Sequence, residues 1–257
     1  MQLCAALRAL LCAIRNGSTI PRVVDHVTIR VSDRAASVRF YDTVLAPLGL
    51  RSDGDEWEDF SLAQATGGVE VTRRLHVAFF APVELVDAFW RAGVEAGYRS
   101  DGEPGPRPQY GADYYGGFLL DPDGNSVEAV HMDRERETGR IDHLWIRVAD
   151  LEASTRFYDA IAPHTGFARA DGMPGTAHFR GPRATFSLVP SDEPTENVHL
   201  AFPGSREQVQ AFHAAALDAG YRDNGAPGER PEYHAGYHAA FALDPDGNNV
   251  EVVDHGR

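Results

Sequence analysis

Two histidines and one glutamate recur in the same order in each half of this 257-residue chain. The interval from the second histidine to the glutamate is 52 residues in both halves. Two imidazoles and one carboxylate can hold a divalent transition metal and leave coordination positions open for water or substrate. The pattern therefore predicts two metal sites, whose ligands are His26, His76 and Glu128 in the first half and His143, His199 and Glu251 in the second.

These residues occur in segments whose alternation is typical of β-strands. In "DHVTIRV" at 25–31, the face that carries His26 also carries Thr28 and Arg30, and the opposite face is apolar. The other candidate ligands also alternate with apolar neighbours. We therefore expect the ligands to point away from the helices. Arg30 and Arg147 share the histidine faces, where they either line the same cavity or form ion pairs across the sheet.

The same turn sequence precedes each glutamate. "DPDGN" occupies residues 121–125 and 244–248, and Glu128 and Glu251 follow at equal distances. Proline and residues that tolerate positive φ favour chain reversal between two strands. The turn is expected to set the register of the last strand, because a slip by one residue would move the glutamate to the opposite face.

The two halves of the chain are duplicates. Residues 25–42 and 142–159 are identical at twelve of eighteen positions. Each half reads as two βαβββ modules, with Asp33 predicted as a helix N-cap and Gly97 as a helix C-cap. The predicted segments are an N-terminal extension at 1–20, a first domain at 21–132, a linker at 133–140 and a second domain at 141–257.

The composition favours an ordered globular protein and excludes polyanionic partners. Hydrophobic residues make up 43% of the chain, and its formal net charge of -14 repels nucleic acid and anionic lipid. Cys4 and Cys12 both lie near the start, so the body of the chain can form no disulfide, which indicates a cytoplasmic protein. The extension is too short to span a bilayer and reads as an extra helix or a disordered segment, with a degenerate signal peptide as the alternative. We expect a monomer or homodimer.

Four motifs carry a resemblance to a known family: paired "DH" strand starts, "RFYD" helices, "HVAF" and "HLAF" strands, and "DPDGN" endings followed by glutamate. Over residues 22–255 the chain resembles the vicinal oxygen chelate superfamily, which includes glyoxalase I, bleomycin-resistance proteins and type I extradiol dioxygenases. The resemblance implies an α+β fold of two tandem domains, each of two βαβββ modules that form a curled mixed sheet with helices outside. It also implies that each half holds Fe(II), Zn, Mn or Ni with its own two histidines and glutamate, and that a small substrate chelates this metal through two adjacent oxygens.

Departures from each branch of the superfamily leave the reaction open. Glyoxalase I has a fourth protein ligand, for which Glu58 is a candidate, although a solvated strand charge explains Glu58 more simply. In the second half Ala184 aligns with Glu58, so no fourth carboxylate is available there. Extradiol dioxygenases carry a histidine and then a tyrosine before the last turn. His234 matches that histidine, but Phe241 stands in place of the tyrosine.

Loop residues before the last hairpin complete the predicted site. We expect His234, Tyr237 and Tyr114 to handle protons or orient a substrate oxygen. Tyr110 and Tyr233 are more simply explained as covers of a core edge. The sequence thus favours a metal-dependent dioxygenase, lyase or isomerase. The alternatives are a sequestration protein of the bleomycin-resistance type and a metal-bound domain without turnover.

Overall fold

The computed structural model describes residues 24–68, 70–134, 136–181 and 184–256. The predicted extension at 1–20, with both cysteines, lies outside these residues. The helices are α1 (Arg34–Leu45), α2 (Val83–Glu95), α3 (Leu151–Ile161) and α4 (Arg206–Asp218). The strands are β1 (His26–Val31), β2 (Glu56–Trp57), β3 (Phe60–Gln64), β4 (His76–Phe80), β5 (Ser100–Pro106), β6 (Tyr115–Leu120), β7 (Ser126–His131), β8 (Ile141–Val148), β9 (Ala168–Ala170), β10 (Ala177–Arg180), β11 (Thr185–Pro190), β12 (His199–Pro203), β13 (Arg222–Glu229), β14 (His238–Leu243) and β15 (Asn249–Asp254).

These strands form two mixed sheets. Sheet I has the order β13-β14-β15-β12-β1-β3-β2, and sheet II has the order β5-β6-β7-β4-β8-β11-β10-β9. Each of the four modules begins with one strand and one helix. The second, third and fourth modules add three strands, whereas the first adds two strands and an isolated bridge between Asp53 and Glu56. The mixed α+β modules and their tandem order confirm the predicted fold class. Among the described helices, none is long and apolar enough to cross a membrane.

The modules combine into sheets differently from the sequence prediction, in which the two modules of each half share a sheet. Each sheet combines one module from each half of the chain, because β1 pairs antiparallel with β12 and β4 pairs antiparallel with β8. The residues predicted to be a linker are part of this arrangement. Gly139 donates a hydrogen bond to the Phe80 carbonyl over 2.8 Å, and Phe80 donates to the Arg140 carbonyl over 2.9 Å. Gly139 and Arg140 therefore pack along β4.

The strands and helices form where their sequence patterns predict. The Asp33 carboxylate accepts a hydrogen bond from the Ala36 amide and caps α1, as expected. After α2, Gly97 has a φ of 87°, which explains the glycine at the end of that helix. Residues of β1 alternate between partly exposed and buried positions, and the buried set faces the aromatic side chains Phe40 and Tyr41 of α1. The core therefore lies between the helices and one face of each sheet.

The repeated turn connects β6 to β7, and its asparagine also contacts the start of β4. Asn125 is fully buried, and its side-chain oxygen accepts a hydrogen bond from the Leu75 amide, next to the start of β4. Its side-chain amide donates to the Thr72 carbonyl and to Asp121. Asn248 makes the equivalent contacts in the last module. Each turn thus fixes a first strand beside the glutamate strand of the same module.

Candidate metal centres in the two sheets

The six candidate ligands converge in two groups, one on each sheet. Each group uses three adjacent central strands: β7, β4 and β8 in sheet II, and β15, β12 and β1 in sheet I. Site II consists of His76, His143 and Glu128, and site I consists of His26, His199 and Glu251.

Each site therefore draws two ligands from one half of the chain and one histidine from the other. This differs from the predicted grouping, in which His26 joined His76 and Glu128, and His143 joined His199 and Glu251. The physical reason is the pairing of β4 with β8 and of β1 with β12, which exchanges the first-strand histidines between the halves.

A small residue lies at the centre of each ligand group. Ala78 on β4 is opposite Glu128 on one side and opposite His143 on the other. Ala201 on β12 holds the same place between Glu251 and His26. Both alanines are fully buried. Because side chains two residues apart on a strand share a face, a larger side chain at Ala78 would enter the space between the ligands.

The ligand atoms of site II form a compact triangle. His76 Nε2 lies 3.0 Å from Glu128 Oε2, and His143 Nε2 lies 3.4 Å from the same oxygen. The two imidazole nitrogens are 3.3 Å apart. All three side chains are buried.

Site I has the same arrangement with a wider spread. His199 Nε2 lies 2.8 Å from Glu251 Oε2, and His26 Nε2 lies 3.8 Å from it. The two imidazole nitrogens are 3.2 Å apart. Glu251 is buried, and both histidines are partly exposed.

Both triangles fit a divalent metal. A circle through the three ligand atoms has a radius of about 1.9 Å in each site, which is slightly less than the roughly 2.0–2.2 Å of metal bonds to histidine nitrogen and carboxylate oxygen. An ion could therefore bond all three atoms from one side of their plane. Two imidazoles and one carboxylate on one face, with the other positions open, are typical of non-haem Fe(II) sites.

Acidic residues hold the ring orientation of one histidine in each site. His143 Nδ1 donates to Asp142 Oδ2 over 2.9 Å, and His26 Nδ1 donates to Asp25 Oδ1 over the same distance. Such contacts fix the tautomer that leaves Nε2 free for a metal. The sequence signal was present in the repeated "DH" pair, although the aspartates were not singled out as site residues.

The second histidine of each site is supported by the first residue of the glutamate strand. His76 Nδ1 lies 3.1 Å from Ser126 Oγ, and Ser126 in turn donates to Asp101 over 2.8 Å. His199 Nδ1 lies 2.6 Å from the side-chain amide of Asn249. The Nε2 atoms of all four histidines therefore point toward the ligand triangles.

The predicted tyrosines contact the ligand glutamates. Tyr114 donates to Glu128 Oε1 over 2.7 Å, and Tyr237 donates to Glu251 Oε1 over 2.7 Å. Burial and the charge of the adjacent glutamate raise the pKa of both tyrosines well above the ordinary value. Both hydroxyls therefore keep their protons and leave Oε2 of each glutamate as the ligand atom.

The pKa values of the two histidines in each site are shifted in opposite directions. Burial alone lowers the pKa of His143, but hydrogen bonds with two carboxylates outweigh burial and raise that pKa to about 9. Burial lowers the pKa of His76, with a further contribution from the charge of His143. In site I the pKa of His26 is raised by Asp25 in spite of burial, and the pKa of His199 is lowered by burial. His143 thus holds an extra proton that a metal must displace, and His26 binds a proton more tightly than an ordinary imidazole does.

The predicted proton-transfer residue His234 lies outside the ligand triangle. Its Nε2 is 2.9 Å from His255 Nδ1, and His255 Nε2 is 3.0 Å from Asp25 Oδ2. His234 therefore reaches His26 through two intervening side chains, His255 and Asp25. In sheet II the equivalent Asp142 instead pairs with Arg134 and with Arg136 Nε at 3.3 Å.

The fourth-ligand candidate Glu58 forms an ion pair with Arg140 at 2.8 Å. Strand register shows which residues correspond to the ligand glutamates in the other two modules. Ser61 lies opposite Thr28, and Ser187 lies opposite Trp145. These positions carry hydroxyl groups in place of carboxylates, so each described ligand group has three members.

The chain matches a known protein family over most of its length. A model of the Glyoxalase/Bleomycin resistance protein/Dioxygenase superfamily matches residues 23–129 and 140–252. The chain belongs to this superfamily. No match was found among curated proteins.

Several solved structures of similar fold were found. A V278E variant of glyoxalase I from Zea mays has a TM-score of 0.64 at 19% identity, covering 90% of this chain and 92% of that chain. Unmodified Zea mays glyoxalase I has a TM-score of 0.60 at 18% identity over the same shares. A proposed dioxygenase from Bacillus subtilis has a TM-score of 0.60 at 12% identity, covering 92% of this chain and 86% of that chain. At these identities the likeness shows the superfamily fold alone.

A cavity of about 270 Å³ opens beside site II. His76 and Glu128 lie at one side of it, and Arg107 and Arg147 contribute positive charge. Among the described residues, the hydrogen-bonding partners of these two guanidinium groups are backbone carbonyls. The arginines therefore stay available to a negatively charged ligand group. Of the two outcomes predicted for Arg147, the structure shows a cavity-lining position.

Proposed function

We propose that this chain is a metal-dependent enzyme of the glyoxalase and dioxygenase type, with one metal site on each sheet. Its substrate would be a small molecule that chelates the metal through two adjacent oxygens. The observation that carries the proposal is the convergence of two separate His-His-Glu sets, each in a triangle that fits a divalent ion. We propose Fe(II) first, because the donor set is typical of it, with Zn, Mn and Ni as the alternatives.

The bound metal would act as a Lewis acid toward substrate oxygens. The chain's own residues have distinct roles around it. His76, His143 and Glu128 would hold the ion in site II. Tyr114 would fix the glutamate. Arg147 would orient a negatively charged part of the substrate, because its guanidinium lines the cavity and has only a carbonyl partner among the described residues.

The support of the first-strand histidine is proposed to differ between the sites. In site I, the contacts from His234 through His255 and Asp25 to His26 connect a partly exposed imidazole with a metal ligand. This supports His234 as a positioning residue for site I, which acts on His26 through His255 and Asp25.

A sequestration protein is the second candidate, and the aromatic wall of the cavity favours it. Trp145, Tyr110 and Phe118 line the space beside site II. Aromatic surfaces suit the capture of a flat drug or metabolite. The two candidates differ in turnover, since a sequestration protein would bind its ligand without converting it.

Elemental analysis of anaerobically purified protein tests the metal sites. We expect two divalent ions per chain in the wild type, and one each in Glu128→Gln and Glu251→Gln. Glu58→Gln is the matched control, because this carboxylate pairs with Arg140 outside the ligand groups, and it should keep two ions. A wild-type chain that takes up no metal after reconstitution with Fe(II), Zn, Mn or Ni would overturn the proposal.

Turnover assays separate the enzyme from the sequestration protein. The metal-loaded chain would be supplied with catechols and oxygen, and separately with methylglyoxal and glutathione. Product formation that Glu128→Gln or Glu251→Gln reduces supports the enzyme. Stoichiometric binding of a ligand that is recovered unchanged supports sequestration.

A further inference from the structure

The two sites differ at one position that faces a metal-ligand histidine. On sheet II, Trp145 of β8 lies directly opposite His76 of β4. On sheet I, Thr28 of β1 lies directly opposite His199 of β12. Register makes the two positions equivalent, so the duplicated sites carry an indole in one case and a hydroxyl in the other.

The Trp145 indole forms a wall of the cavity beside site II. Its ring centroid is 5.5 Å from that of His76 and 5.4 Å from that of Tyr110, which meets the indole edge-on at 88°. Phe118 lines the same cavity, and its ring centroid is 6.1 Å from that of His76. An aromatic surface therefore extends from the metal ligands toward the opening.

Thr28 forms no such wall in site I. Its hydroxyl lies 2.7 Å from Ser61 Oγ, which keeps the side chain along the sheet. Tyr233, the counterpart of Tyr110, is 62% exposed, whereas Tyr110 is 39% exposed. The indole accounts for the difference in exposure, because Tyr110 packs against Trp145. Tyr233 packs on Tyr237, and the strand position equivalent to Trp145 is Thr28.

Two other groups near the ligands are shared by the sites. The guanidinium of Arg107 stacks on Phe118 at 5.4 Å, and that of Arg230 stacks on Phe241 at 5.5 Å. Each ligand glutamate accepts a hydrogen bond from a tyrosine at 2.7 Å. These shared groups do not distinguish the sites, so the proposed difference in ring preference rests on Trp145 and Thr28.

We propose that Trp145 makes site II selective for chelating ligands that carry a flat ring, whereas site I, with Thr28, does not favour the ring. The inference rests on the proposed function, because it assumes that a metal anchors the ligand in each site. A ring placed next to the ligating oxygens would stack on the indole or meet its edge. Interactions of this kind correspond to roughly threefold to tenfold tighter binding.

The probes are two simple hydroxamates, which chelate a metal through two adjacent oxygens. Acetohydroxamate has no ring, and benzohydroxamate adds a phenyl group to the same chelating unit. Binding to zinc-loaded protein would be measured by calorimetry in two single-site backgrounds. Glu251→Gln leaves site II, and Glu128→Gln leaves site I. The measured quantity is the ratio of the acetohydroxamate Kd to the benzohydroxamate Kd in each background.

The expected ratio is roughly threefold to tenfold greater for site II than for site I. Trp145→Thr should lower the site II ratio to that of site I, and Thr28→Trp should raise the site I ratio. Trp145→Leu keeps an apolar side chain and should also lose the ring preference, so it replaces Trp145→Thr if that variant fails to fold. Zinc content checks each variant.

The outcomes separate this inference from the proposed function. Equal ratios in the two sites, or a site II preference that survives in the Trp145 variants, would overturn the inference while zinc and acetohydroxamate binding keep the proposed function intact. Failure of both sites to take up zinc, Fe(II), Mn or Ni would overturn the proposed function, and the inference with it.

Discussion

Removal of the Tyr114 hydroxyl should weaken metal binding in site II alone. In Tyr114→Phe, Glu128 Oε1 loses a hydrogen bond of 2.7 Å whose two partners are both buried. A hydrogen bond to a charged group contributes about 1.5–3 kcal/mol when both partners are shielded from water. Since about 1.4 kcal/mol corresponds to a factor of ten, we expect a roughly tenfold to hundredfold loss of metal affinity.

Competition for Zn against a chromophoric chelator measures this change. The wild type should remove two ions per chain from the chelator with similar affinities, and Tyr114→Phe should show one site of unchanged affinity and one weakened site. Tyr110→Phe is the matched control, because its ring lies at the cavity edge and its side chain is 39% exposed. That control should leave both metal affinities unchanged.

Two results would refute this reasoning. Metal affinity that is unchanged in Tyr114→Phe would show that the hydroxyl does not position Glu128. Full metal content combined with a large loss of turnover would show that Tyr114 acts on the substrate, as the sequence pattern predicts. Tyr237→Phe provides the same test for Glu251 and site I.

Further predictions concern the supporting residues. Ala78→Leu should abolish metal uptake in site II and leave one ion per chain, because the side chain would lie between Glu128 and His143; elemental analysis would show two ions if the alanine is not required. Zn affinity of site II should rise by about tenfold per pH unit up to about pH 9, because below that pH the metal must displace a proton from His143. Chelator competition at several pH values measures this change, and a flat pH profile would contradict it. Asn125→Ala should lower the free energy of unfolding by roughly 2–4 kcal/mol, because it leaves buried backbone groups without partners. Urea unfolding measures this change, and an unchanged midpoint would show that the turn is held by its backbone alone. His234→Gln should slow turnover at site I without loss of metal, and loss of the ion would assign it a structural role.

Much of this structure could be predicted from the chain alone. Alternating polarity identified the strands and the faces that carry the histidines, because side chains on a strand alternate between two sides. The cap at Asp33 and the glycine at Gly97 marked helix ends through local chemistry. The same order of residues and an equal histidine-to-glutamate interval in two duplicated halves singled out six residues that do form two candidate metal sites.

Several supporting residues escaped sequence analysis because their roles depend on neighbours in space. Ala78 is an ordinary strand residue until Glu128 and His143 are placed on either side of it. Asp142 is ordinary until the His143 ring is seen to donate to it. Trp145 and Thr28 occupy equivalent places in the duplicated sequence. Only the structure shows that each of them lies opposite a ligand histidine.

The sequence by itself determined which residues can bind a metal and which face of each strand they occupy. Only the tertiary structure decided which histidine joins which glutamate. A strand edge presents the same backbone donors and acceptors to any partner, so polarity patterns specify the face of a strand without specifying its neighbour. In this chain, β4 pairs with β8 and β1 with β12, and those pairings place His143 beside Glu128 and His26 beside Glu251.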